Sequence, residues 1–184
     1  MLLALLGGCD RQSGQDAQPA ASTAAPQNTA QPTGAFDRSH RGSQLPDLTF
    51  TDPVGKPVRL VTLTGRPLLV NLWATWCAPC VAELPTLDRL AGAKGSALRV
   101  LAVSQDMGES AKASAQVKAF WDAKGFAHIQ PVLDPQGEAS SQYQVSTLPT
   151  TIYYDAQGRE VWRLVGGHDW ASRETDTLLT EAGN

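Results

Sequence analysis

Two cysteines separated by two residues, Cys77 and Cys80 in the run Trp76-Cys77-Ala78-Pro79-Cys80, are the side chains of this sequence best placed to do chemistry. Such a pair can close a small disulfide, and a thiol from another protein can open it again. The same spacing also serves as half of a zinc site. Context separates the two. Arg66 to Trp73 reads as a buried strand and the segment after the pair as a helix. A strand that runs into Cys-x-x-Cys at a helix start is the setting in which the spacing means redox chemistry. A zinc site needs further ligands, and His40, His128 and His168 stand at no ligand spacing, so neither a metal nor a cofactor is expected.

The two thiols take different roles. Cys77 falls at the helix N-terminus, where unpaired amides and the helix dipole favour a thiolate. It precedes the first turn and is the more exposed, so it is assigned as the attacking nucleophile. Cys80, three residues on and tucked beneath, is the resolving thiol. The cycle is thiolate attack on a disulfide, a mixed disulfide, and release by the second thiol. Pro79 removes a backbone donor and stiffens the loop.

The rest of the chain supplies the frame. Leu45 to Phe50 and Pro57 to Leu60 alternate in period two around the turn Asp52-Pro53-Val54-Gly55, which predicts an N-terminal hairpin. Leu68 to Trp73 is the first central strand and Val81 to Ala91 a helix with Leu84, Leu87, Leu90 and Ala91 on one face. Leu98 to Ser104 is a second apolar strand, parallel to the first. Ala111 to Lys124 is a helix with Val117, Phe120 and Trp121 inward, Pro131 to Leu133 a strand, and Gly137 to Tyr143 a short helix. Thr150 to Tyr154 and Glu160 to Val165 form a hairpin about Asp155-Ala156-Gln157-Gly158, and Ala171 to Glu181 is the closing helix, with Asp169 as its cap. This order gives an α/β fold: a central mixed sheet with helices on both faces and an N-terminal β-hairpin extension.

A chain of 184 residues allows one ordinary domain with length to spare. Its net charge of -3, with no basic cluster, speaks against a nucleic-acid partner. The apolar run Met1 to Leu6 is far short of the roughly 20 residues of a spanning helix. It ends in Leu5-Leu6-Gly7-Gly8-Cys9, which resembles the lipobox of bacterial lipoproteins, whose Cys becomes the lipidated first residue of the mature protein. No Lys or Arg precedes the run, and it is shorter than a full signal core, so either the start lies upstream or part of the signal is missing. Residues 10–43, rich in Gln, Ala, Pro, Ser and Thr, read as a flexible tether with a reach on the order of 30–35 Å. The expected division is therefore signal remnant and lipobox over 1–9, tether over 10–43 and folded domain over 44–184.

The run from Leu69 to Pro85, Leu-Val-Asn-Leu-Trp-Ala-Thr-Trp-Cys-Ala-Pro-Cys-Val-Ala-Glu-Leu-Pro, strongly resembles the membrane-anchored, thioredoxin-like reductases of the TlpA and ResA type. The similarity extends from about Leu45 to Leu179. The resemblance implies a thioredoxin-like fold and an extracytoplasmic thiol-disulfide oxidoreductase with a redox-active Cys77–Cys80 disulfide. Family members reduce the haem-binding cysteines of apocytochrome c in cytochrome c maturation, or cysteines of copper proteins in oxidase assembly.

Two further positions carry over. Pro149, in Thr147-Leu148-Pro149-Thr150-Thr151, matches the cis-proline facing the Cys pair, with the backbone of Leu148 exposed for a substrate segment to pair with. Glu83, at i, i+3 from Cys80, matches a Glu that lies beneath the pair and affects thiol ionisation, raising a thiol pKa or relaying its proton. Trp76 offers a flat apolar face for substrate, whereas Trp73 packs in the core. Asn71 sits inside its strand, where its amide must find a partner, and it is assigned no catalytic role.

Two other readings use the same residues. A peroxiredoxin-like peroxide reductase needs a single peroxidatic Cys with a Thr and a Pro at set spacing before it; Thr75 is present but that pattern is not. A non-catalytic copper-binding module could use two thiolates for Cu(I), but no Met-rich or His-rich segment accompanies them. An oxidising compartment requires a reductant to draw electrons from a membrane donor of thiol reductase type. A lipid anchor at Cys9 would hold the domain near such a donor, and Asp10 matches a retention signal for the periplasmic side of the inner membrane.

Overall fold

In the computed structural model, residues 34–181 are described. The expected lipobox with Cys9, residues 10–33 of the expected tether and residues 182–184 lie outside the described residues. In chain order the elements are β1 (Ala35–Asp37), β2 (Thr49–Thr51), β3 (Pro57–Arg59), β4 (Leu68–Trp73), α1 (Ala78–Lys94), β5 (Arg99–Ser104), α2 (Ser110–Lys124), β6 (Gln130–Leu133), α3 (Glu138–Tyr143), β7 (Thr150–Tyr154), β8 (Glu160–Val165) and α4 (Arg173–Thr180), with short 3-10 turns at Leu60–Leu63 and Gly95–Ala97.

One mixed sheet runs in the order β1-β8-β7-β4-β5-β6-β2-β3. The pairs β4–β5 and β5–β6 are parallel, and β4–β7, β7–β8, β8–β1, β6–β2 and β2–β3 antiparallel. Strand β4 is central, and all six of its residues are buried because both faces are covered. Alternation divides them. Leu69 and Trp73 join the core formed with Leu84, Leu87 and Leu90 of α1, Val117 of α2 and Leu178 of α4. Leu68, Val70 and Leu72 join the opposite core with Leu101, Val103, Ile152 and Ala139 of α3. Asn71 therefore stands on the α1 face, as the one polar residue of an otherwise apolar strand.

Two differences from the sequence expectations have local causes. The last residues of the span expected as a tether, 34–43, include a strand. Phe36 packs edge-on against Trp162, with ring centroids 5.5 Å apart, and Ala35–Asp37 add to the open edge of β8 as β1. One aromatic side chain and a backbone ladder order this segment despite its polar composition. Asp169, for its part, does not cap the last helix. Its carboxylate accepts from the N–H of Ala171 (3.0 Å) in a local turn, and the helix begins later, behind Ser172.

Candidate active site

Strand β4 delivers the chain to the site. After Trp73, the N–H of Cys77 bonds to the carbonyl of Ala74 (3.1 Å), and Cys77 becomes the N-cap of α1 with extended backbone angles. Its carbonyl accepts from Val81, and its Sγ accepts from the N–H of Cys80 at 3.3 Å. The sulfur thus takes the place usually held by an N-cap hydroxyl or carboxylate, facing the positive end of the helix. Cys77 and Cys80 form a disulfide, with Cα atoms 5.2 Å apart. Cys77 is 6% exposed and Cys80 fully buried, so an incoming group reaches Cys77 first.

The Leu148–Pro149 peptide bond is cis. Because β7 runs antiparallel to β4 with Leu72 opposite Thr150, Pro149 falls beside the C-terminal end of β4, from which the Cys loop departs. The carbonyl of Pro149 accepts from Gly166 (2.8 Å), tying this corner to the end of β8. Beyond it, Gly167 passes so close to Pro79 that a Cβ there would lie 3.9 Å from the proline Cβ.

Glu83 is 1% exposed and enclosed by donors. Its Oε1 accepts from Asn71 Nδ2 at 2.7 Å; its Oε2 accepts from the main-chain N–H of His168 at 3.0 Å and from Trp170 Nε1 at 3.3 Å. Burial lifts this carboxyl to about 7, against the opposing pull of those three hydrogen bonds. Asn71 also donates to Thr151 Oγ1 (2.9 Å), its register partner on β7. The imidazole of His168 is turned the other way, with Nε2 3.0 Å from Thr175 Oγ1, and burial lowers its pKa.

The two tryptophans before the pair divide as expected. Trp73 is fully buried against Phe120 and Trp121, at centroid distances of 5.2 and 5.4 Å. Trp76 is 69% exposed and lines a surface pocket of about 410 Å³ with Asp106, Met107, Glu109, Lys112 and Gln116. The floor of the approach is fastened by Asp106. It accepts from the Thr75 N–H (3.1 Å), from the Thr75 hydroxyl (2.6 Å) and from the Ser104 hydroxyl (2.7 Å). Cys77, Cys80, Glu83, Pro149 and Trp76 are thus brought to one end of β4 and its neighbours. Half-buried Leu148 packs on both cores.

Sequence reasoning did not find Asp106, or the role of His168 and Trp170 as donors to Glu83. A cue was present: an Asn inside an apolar strand announces a buried polar partner. Among the described residues no group of three or more His, Cys, Asp or Glu side chains is arranged to hold a metal, and no helix is long and apolar enough to cross a membrane.

Residues 40–179 match the Redoxin family. The chain is 34% identical to the thiol-disulfide oxidoreductase ResA of Geobacillus kaustophilus, over 68% of this chain and 69% of that protein. Among solved structures, it is similar to a thiol:disulfide interchange protein of DsbE type from Chlorobium tepidum, with a TM-score of 0.67, 24% identity and coverage of 78% of this chain and 98% of that one. It is also similar to the exposed lipoprotein thioredoxin of Streptococcus pneumoniae, with a TM-score of 0.58, 26% identity and coverage of 76% and 100%. The chain spans about two thirds of the length of the curated relatives it matches.

Proposed function

The chain belongs to the Redoxin family and is a thiol-disulfide oxidoreductase of thioredoxin-like fold, and from that premise we propose that it reduces disulfides of partner proteins outside the cytoplasm. The observation that carries the proposal is the Cys77–Cys80 disulfide at the start of α1, with Cys77 Sγ facing the helix amides. In the reduced protein the Cys77 thiolate attacks one sulfur of a partner disulfide. The S–S bond breaks, and the first partner sulfur leaves as a thiolate that takes a proton from solvent. Cys80 then gives its proton to the Glu83 carboxylate and attacks Cys77 Sγ. The mixed disulfide breaks, the second partner sulfur leaves and is protonated, and two electrons have passed to the partner while Cys77–Cys80 closes. Glu83 later returns its proton to solvent.

Trp76 and the Leu148–Pro149 corner flank the entrance and are assigned to docking the partner's backbone. Apocytochrome c and copper-site proteins fit as substrates, since each presents a cysteine pair that must be kept reduced for metal or haem attachment. The anchor is assigned to a lipid at Cys9, on the periplasmic side of the inner membrane, within reach of a membrane thiol donor. That a solved relative is an exposed lipoprotein supports this part of the reading.

The decisive experiment pairs two substitutions with a potential. Cys77→Ser abolishes reduction of a protein disulfide, and Cys80→Ser accumulates mixed disulfides through Cys77; full activity in Cys77→Ser would refute the mechanism. A Cys77/Cys80 potential near about -270 mV fits a reductase, whereas one near about -120 mV overturns the direction of electron flow.

A further inference from the structure

Asn71 carries an unusual imbalance. Its Nδ2 makes two hydrogen bonds, to Glu83 Oε1 (2.7 Å) and Thr151 Oγ1 (2.9 Å), while its Oδ1 is buried with no partner at all. A buried acceptor without a donor is costly, and in a strand this tightly packed it calls for an explanation. We propose that the Asn71 amide turns over with the protonation state of Glu83, presenting Nδ2 to the charged carboxylate and Oδ1 to the neutral acid.

The geometry around Glu83 leads to this arrangement. Glu83 Oε2 already faces two fixed hydrogens, the His168 N–H and the Trp170 indole N–H. A proton placed on Oε2 would point into one of them, so it goes to Oε1. Asn71 Nδ2 occupies one of the two acceptor positions of Oε1, and a proton on that position cannot face an N–H at 2.7 Å. Rotation about the Asn71 Cβ–Cγ bond exchanges two atoms of nearly equal size. Oδ1 then accepts from the new Glu83 O–H. It also accepts from Thr151, whose hydroxyl takes a hydrogen from Nδ2 in the present arrangement and can rotate to give one. Each arrangement leaves one atom of the amide unpaired, so neither is strongly preferred on that count. The orphaned Oδ1 is what the neutral state of Glu83 requires.

The other groups close to Glu83 do not offer this service. Cys80, three residues earlier on α1, is the thiol whose proton is exchanged. From the segment after β8, His168 directs its imidazole to Thr175 and only its main-chain N–H to Glu83, and Trp170 has a donor alone. Thr151, from β7, contacts Asn71. Asn71 is therefore a positioning residue. It lets the buried carboxyl gain and lose a proton without leaving its site, which is what a carboxyl that takes the Cys80 proton once per cycle has to do. That last step rests on the role proposed above for Glu83.

The test is a pH titration by NMR of the oxidised full chain, following Glu83 Cδ and the side-chain amide of Asn71. In the oxidised protein Cys77 and Cys80 are locked in their disulfide and do not titrate, so the Glu83 curve is read without them. The expected result is that the contacts of the Asn71 amide hydrogens to Thr151, seen as cross-relaxation peaks at high pH, are lost below the Glu83 Cδ midpoint as the amide turns over. An Asn71 amide that stays fixed while Glu83 titrates overturns the inference. In Asn71→Leu, of similar shape but with neither donor nor acceptor, the Glu83 midpoint moves up by about one pH unit, because the charged form loses the stronger bond. An unchanged midpoint also overturns it. If that variant does not fold, the wild-type titration decides alone. A third measurement separates the inference from the mechanism it serves: the pH dependence of mixed-disulfide resolution by Cys80. If the Asn71 amide turns over with Glu83 but resolution ignores that midpoint, the amide switch stands and the role of Glu83 as proton acceptor falls.

Discussion

The main-chain N–H of His168 points at Glu83 Oε2 from 3.0 Å, fastening the loop after β8 to a carboxylate 85 residues earlier on α1. Together with Trp170 Nε1 and Asn71 Nδ2, it gives the buried carboxyl three donors that are neutral at every working pH. No cation supplies a counter-charge among the causes that set its ionisation, and burial prevails, to about 7.

That balance fixes a sign for stability. Glu83 has a folded-state pKa near 7 against an ordinary value of 4.5, so between those values the folded protein binds more protons than the unfolded chain. Stability therefore falls as pH rises from about 4.5 to 7, by at most roughly 3 kcal/mol from this group, and the penalty is constant above. Glu83→Gln removes the charged form. Its expected effect is a gain of stability over wild type at pH 8 that vanishes near pH 4.5, with the disulfide intact. Urea unfolding at both pH values checks it; a variant destabilised equally at both would show that packing, not ionisation, governs the site.

Trp170 tests the donors one at a time. Its ring is fully buried, stacked on Trp162 at 6.4 Å and edge-on to His168 at 4.8 Å. Trp170→Phe keeps most of this apolar contact and deletes the N–H. The charged form of Glu83 loses a donor, so its midpoint rises further. A stability loss of about 1–2 kcal/mol is expected at pH 8 and a smaller one near pH 4.5. A 13C titration of Glu83 and denaturation at the two pH values report both.

The legible part of the sequence was the part set by local pattern. Strands β7 and β8 fall on the expected residues because short runs rich in β-branched and aromatic side chains flank a turn whose Asp155 holds the N–H groups of Gln157 (2.9 Å) and Arg159 (2.8 Å). The Cys pair and Glu83 were legible because they share one helix and a fixed spacing. The donors to Glu83 were not, because His168 and Trp170 meet it only through tertiary closure of the loop after β8. Strand β1 was hidden for the opposite reason: a polar composition concealed one aromatic that finds Trp162.

Trp73 and Trp76, three residues apart, should respond oppositely to truncation. Trp73 is enclosed by Phe120 and Trp121, and Trp73→Ala is expected to cost about 3–5 kcal/mol of stability. Trp76 is 69% exposed, so Trp76→Ala should change stability by no more than about 0.5 kcal/mol. If Trp76 docks the partner, that variant raises KM several-fold for a protein disulfide and leaves the rate with a small aromatic disulfide unchanged. Equal loss with both substrates would place its effect on Cys77 instead.

Asp106 joins the end of β5 to the approach of the Cys loop. Its carboxylate, 5% exposed, takes the N–H and hydroxyl of Thr75 and the hydroxyl of Ser104. Asp106→Ala leaves these donors without their acceptor, and the buried Ser104 hydroxyl is cut off from water as well. A loss of about 2–3 kcal/mol is expected. Asp106→Asn keeps one acceptor oxygen and should lose less. The consequence at the site is loosening of Thr75 and Trp76 ahead of Cys77, without removal of any group that touches sulfur. Hydrogen exchange should therefore accelerate at the Thr75 amide more than at Leu87 or Leu90 in the same variant. Equal acceleration at all three would mean that the substitution lowers global stability and that Asp106 does not hold the loop in particular.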